Sequence, residues 1–144
     1  MIDRFDITAY VIDGVLILVP NSASPDGSVV FEIPPELCGV VAPDEEVGAA
    51  ILKAAQRCRE GNGLVGVNSD SVAKSLGFKS NADIRKRLVP IIVSRRGGGT
   101  ILSIAPMRRE RSQVVFTEEE FEAPISDLAM IGRLTKVAAK ISGK

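Results

Sequence analysis

The chemistry open to this chain is limited first by an absence. Its 144 residues include no histidine. A general base near neutral pH would therefore be a carboxylate, lysine, tyrosine or thiolate of shifted pKa. Cys58 stands between Arg57 and Arg59, and nearby cations lower a thiol's pKa. Residues one apart on a helix point different ways, however, and Cys58 falls on an apolar stripe, so no nucleophile is expected there. Glu118, Glu119, Glu120 and Glu122 crowd carboxylates into a short run. A metal site would need a second group of ligands, and the nitrogen and sulfur set of a structural zinc is missing. Gly97-Gly98-Gly99 resembles a phosphate-cradling loop. Such a loop needs a helix N-terminus behind it, whereas a β-branched run follows here. No nucleophile, base and orienter come together. The chain reads as a binding protein rather than an enzyme, with no cofactor and no metal.

The length suits one globular domain, residues 1–144, with a core large enough to need no staples. Apolar residues at 45% and charged residues at 25% are ordinary for a soluble protein. With no Trp, one Tyr and five Phe, the core must be aliphatic and no aromatic platform for single-stranded nucleic acid is available. Cys38 and Cys58 form no CxxC pair and are expected to be free thiols. MIDRFDITAY places acids where a signal peptide has its basic region, and no apolar run reaches membrane-span length. A cytoplasmic protein without membrane contact is expected.

The net charge of zero conceals an uneven distribution. Residues 1–78 carry five basic and 11 acidic side chains, and residues 79–111 carry nine and two. Such asymmetry favours charged partners.

These residues must be held by ordered elements. The stretch Val89–Ala105 reads as a hairpin near the middle of a sheet, starting after Pro90, reversing at the three glycines and ending before Pro106. Ile7–Ile12 and Val15–Val19, joined by Asp13-Gly14, form a second hairpin. Val29–Ile33 is a third strand, stopped by Pro34-Pro35, and Glu36–Pro43 reads as irregular. Asp44 is the expected N-cap of a helix running to about Glu60, with Glu45 and Glu46 in its first turn. Ser69 should cap a short helix through Leu76. Ser80 with Asp83 resembles a capping box for another, Asn81–Leu88. Met107–Ser112 reads as an exposed basic turn and Gln113–Thr117 as a strand. After Pro124, Ser126 or Asp127 should cap a last helix with the stripe Leu128, Ile131, Leu134, Val137 or Ala138, and Ile141. Strands in one run and helices in another predict an α+β fold, a mostly antiparallel sheet of about six strands with about four helices packed on it.

Three stretches carry a family resemblance. The helix EEVGAAILKAAQRCRE (Glu45–Glu60), the turn Gly77-Phe78-Lys79-Ser80 before a basic helix, and the arm ending Ile104-Ala105-Pro106 are similar to the immunity proteins of bacterial contact-dependent growth inhibition systems (CdiI type). Together they span residues 45–106, and the tryptophan common in that family is missing. The resemblance implies a cytosolic, non-enzymatic protein that binds and neutralises a cognate toxin domain, commonly a nuclease. It offers no shared binding residues, because each immunity protein matches its own toxin. The interface must come from this sequence's charges. Carboxylates suit the cationic groove of a nuclease, so Asp44, Glu45 and Glu46, and Glu118, Glu119, Glu120 and Glu122 around Phe121, are the candidate partner-binding residues. The competing reading is a nucleic-acid-binding module using the basic segment 79–111, through Arg85–Arg87, Arg95, Arg96 and Arg108–Arg111.

Overall fold

The structure, a computed structural model, describes residues 1–96 and 98–143. Its elements run β1 (Phe5–Ile12), β2 (Val15–Ala23), β3 (Val29–Phe31), β4 (Glu36–Gly39), α1 (Asp44–Gln56), α2 (Ser69–Ser75), α3 (Asn81–Arg87), β5 (Ile91–Arg95), β6 (Ile101–Glu110), β7 (Gln113–Phe116), β8 (Phe121–Pro124) and α4 (Leu128–Ser142). The strands pair antiparallel in the order β3-β2-β1-β5-β6-β7, with β4 also on β2 and β8 also on β6. The α+β class is as the element order predicts, and β5 lies at the centre of the sheet.

Both outer strands are broken. β3 and β4 follow one another along β2, with Asn21 opposite Phe31 and Leu18 opposite Glu36. β7 and β8 do the same along β6, with Met107 opposite Phe116 and Ile104 opposite Phe121. In each case three steps of the inner strand face five of the outer one, a surplus of two residues. The breaks fall at Glu32–Pro35 and Thr117–Glu120.

Three sequence expectations change here. Glu36–Gly39 is a strand, because β2 supplies its ladder partner. Met107–Glu110 is also strand, and only Arg111-Ser112 turn, with Arg111 at φ +57°. Pro106 does not end β6. Its ring nitrogen points to the outer side, where the neighbouring strand is interrupted, so no ladder bond is lost. Its carbonyl still accepts the Thr117 N–H at 3.2 Å. The Asp13-Gly14 hairpin forms as expected, with both residues at positive φ, +50° and +76°.

Alternation along the strands divides the side chains between two faces. One face presents Phe5, Ile7, Ala9, Leu16, Leu18, Ile91, Val93, Leu102, Ile104 and Ala123 to α1 and α4, which supply Val47, Ile51, Ala54, Ala55, Ile131 and Ala138. Of the expected α4 stripe, Ala138 rather than Val137 is the buried choice. α1 stops at Gln56, and its cap position is Pro43 rather than Asp44. Asp44 lies in the first turn, where Lys136 of α4 reaches it at 2.8 Å. Cys58 therefore lies beyond the helix, yet is buried. Asn68, not Ser69, caps α2, accepting from the Ser71 N–H at 2.9 Å. Ser80 caps α3 as its spacing from Asp83 predicts, and of Ser126 and Asp127 it is Asp127 that caps α4, each through a side-chain oxygen.

The other face is only partly covered. A small second core joins Ile17 and Val19 to Val72 of α2, with Phe31, Val67 and Leu76 around it. Among the described residues, no helix is long and apolar enough to cross a membrane.

Candidate partner-binding surface

The alternation of β1 carries the site. Phe5, Ile7 and Ala9 go into the main core, and Thr8 and Tyr10 turn to the opposite face. There the sheet, α2, α3 and the β6–β7 hairpin enclose a groove of about 600 Å³. Its apolar walls are Val19, Phe31, Val72, Ile84, Leu88, Met107 and Val114, and its polar groups include Thr8, Tyr10, Asn81, Arg85 and Gln113. The volume is typical of a ligand or peptide cleft. Burial pushes the Tyr10 hydroxyl above its ordinary pKa, and the nearby Arg85 charge pulls the other way. The sequence reading passed over this groove. Its signal was present in FDITAYVI, where polar Thr8 and Tyr10 alternate with residues committed to the core.

The structure separates the two acidic clusters. Glu118, Glu119 and Glu120 sit in the break between β7 and β8. Glu122 pairs with Ser103, which pairs with Ser94, which pairs with Asp6. This row lies on the groove's side of the sheet. Glu118, Glu119, Glu120 and Glu122 are all exposed, and Glu120 accepts a hydrogen bond from the Ser103 hydroxyl. Phe121 turns to the other side, opposite Ile104, and packs half-buried against the main core. Asp44, Glu45 and Glu46 stand at the start of α1 in the helical layer. Asp44 is engaged by Lys136, and Glu45 and Glu46 are exposed.

The basic segment is also divided. Arg85 lines the groove. Arg87 pairs with Asp83 at 3.4 Å and lies 5.9 Å above the Phe78 ring. Arg109 donates to the Leu88 carbonyl at 3.4 Å, Arg108 pairs with Glu110 at 3.0 Å, and Arg95 donates to the Gly99 carbonyl at 2.8 Å. The helices α2 and α3 rest on the sheet and form one wall of the groove. Of the glycine loop, Gly97 lies outside the described residues, and strand β6 follows the loop.

The remaining candidates for chemistry are Cys58 and the acidic side chains. Cys58 donates weakly to the Asp6 and Ala54 carbonyls, at 3.7 and 3.8 Å. Burial first, then the charges of Asp6 and Glu32, push its thiol up to about 12. A backbone hydrogen bond from Asn21 and, least, the Arg57 charge act the other way. Among the described residues, no group of three or more acidic or cysteine side chains is gathered to hold a metal ion.

Comparison with known proteins places the fold. No family model matches the chain, and no curated protein matches it in sequence. Among solved structures it is similar to a protein of unknown function, NMB0488 from Neisseria meningitidis, with a TM-score of 0.69 at 15% identity, over 96% of this chain and 94% of that one. It is also similar to a chain of the CdiA-CT/CdiI toxin and immunity complex from Yersinia pseudotuberculosis, with a TM-score of 0.61 at 10% identity, over 98% of this chain and 96% of that one. The chain therefore shares, along nearly its whole length, a fold found in a toxin–immunity complex.

Proposed function

We propose that this protein is an immunity protein that binds and neutralises a cognate toxin domain. The observation that carries the reading is the match, over 98% of the chain, to a chain of a toxin and immunity complex. Such a complex contains a toxic partner and an inhibitory one, and the chemistry of this chain supports the inhibitory role. It has no histidine, and its buried thiol is held protonated.

The partner binds the sheet face opposite α1 and α4. That face offers the groove, and Glu118, Glu119 and Glu122 stand at its edge to meet a cationic surface such as that of a nuclease. Asp44, Glu45 and Glu46 lie in the other layer and play no part in the same contact. Each basic residue used internally, Arg87, Arg95 and Arg109 among them, is less free to neutralise phosphate, so protein binding is favoured over nucleic-acid binding.

The test is expression of the toxin domain encoded beside this gene, with and without this protein. Survival together with co-purification of a stoichiometric complex is expected. Equal killing in both strains overturns the reading. Duplex binding that weakens steeply with salt, without protection, supports the nucleic-acid alternative instead.

A further inference from the structure

Among the described residues that line the groove, Arg85 is the single formal charge. Among the described residues, no carboxylate pairs with it. Of the acids on α2 and α3, Asp83 is engaged with Arg87 at 3.4 Å and Asp70 with the Asn81 N–H at 2.8 Å. Beside it stand Tyr10, Thr8 and Asn81, all able to donate a hydrogen bond. The rest of the lining is largely aliphatic or aromatic. A guanidinium at an apolar wall, with neutral donors around it, is complementary to a carboxylate carried on an apolar segment.

From this charge pattern we infer that the groove binds an acidic segment of the partner protein, an Asp or Glu flanked by apolar side chains, with its carboxylate held by Arg85 and Tyr10. This deepens the immunity reading and rests on it. It also reverses the polarity that the acidic clusters suggest, because at the groove this chain supplies the cation. The partner then presents both signs: a basic surface toward Glu118, Glu119 and Glu122, and an acidic apolar segment to the groove. Such two-sign complementarity fixes the docking register, because rotating the partner brings like charges together.

The test uses the whole protein and capped tripeptides Leu-Glu-Leu, Leu-Gln-Leu and Leu-Lys-Leu, with hexanoate as a fourth probe. Binding is followed by NMR. The glutamate peptide should move the amide signals of Tyr10, Arg85 and Met107 and bind roughly tenfold more tightly than the other two peptides. Arg85→Gln should abolish that preference, and exposed Arg85 can be changed without harm to the core. Tyr10→Phe, which keeps the ring, should reduce the preference. Equal affinity for the three peptides, no binding, or signals moving elsewhere on the surface overturns the inference. Hexanoate binding as tightly as the glutamate peptide overturns a peptide segment as occupant. Survival against the toxin is scored separately. Protection without a glutamate preference overturns the groove chemistry alone, and a preference without protection overturns the toxin reading alone.

Discussion

Gly48 on α1 and Gly132 on α4 are reciprocal contact points. A Cβ on Gly48 would collide with the backbone carbonyl of Leu128, and one on Gly132 would collide with that of Asp44. The two helices cross with backbone against backbone, which only glycine permits at both points. Lys136 bonds Asp44 at the same crossing, at 2.8 Å.

Gly48→Ala or Gly132→Ala should therefore destabilise the protein by about 3 kcal/mol, at the upper end for overpacking, because backbone cannot move aside as a side-chain tip can. Urea denaturation checks this. Gly39→Ala is the control, since a Cβ there meets nothing within 4 Å. Equal stability of all three variants would show that the crossing is looser than described.

Glu32 should make stability depend on pH. Its carboxylate accepts from Arg59 Nε at 2.6 Å and from the Ser22 hydroxyl at 2.7 Å. Burial acts to raise its pKa, but the bonds to Arg59 and Ser22 and the charges of Arg59 and Arg57 outweigh it and leave the pKa below the usual value. A group depressed in the folded state stabilises the fold above its unfolded pKa, about 4.3. That contribution is lost as pH falls through the folded value. Stability measured by urea should be level above about pH 5 and decline below it. Glu32→Gln should lower the plateau and flatten the decline. A variant curve parallel to the wild type would contradict this.

Both thiols should be slow toward alkylating agents in the folded protein. Burial raises the Cys58 pKa to about 12. Burial, with the Glu46 charge adding and the Lys136 charge opposing, raises that of Cys38. In concentrated guanidinium chloride without reductant, two thiols per chain should titrate, since Cys38 and Cys58 are both free. Rapid labelling of Cys58 in the native state would contradict its placement.

Reversing Glu118, Glu119 and Glu122 to Lys should leave the fold within about 0.5 kcal/mol of wild type, because all three are exposed. Association with the proposed toxin partner should slow and become less sensitive to salt. Glu120 is left in place, since it is bound to Ser103. Full protection by the triple variant at wild-type expression would remove this edge from the interface.

The fold was legible where local chemistry decides it. Asp13-Gly14 dictates its own turn, and Ser80 and Asp127 cap the helices expected of them. It was not legible where a distant partner decides. Glu36–Gly39 has no strand signature, and becomes strand because β2 has an open side there. Pro106 reads as a terminus, and becomes interior because the strand beyond it is interrupted. The site follows the same division. The acidic run Glu118–Glu122 is visible as composition, whereas the turning of Phe121 inward and Glu122 outward depends on pairing with Ile104 and Ser103. The groove joins Thr8, Phe31, Arg85 and Met107, residues far apart in sequence, and only the antiparallel order of the sheet brings them together.

The interrupted outer strands bear on solubility. An unbroken sheet edge offers a row of free N–H and C=O groups on which another chain can polymerise. Here one margin is interrupted by Pro34-Pro35 and the other by three glutamates, so neither presents a long, straight template. Copies of the chain then meet without a long edge on which fibres could grow. Deleting Glu119 and Glu120 would remove the two surplus residues and straighten that margin, and the resulting protein should precipitate at concentrations the natural chain tolerates.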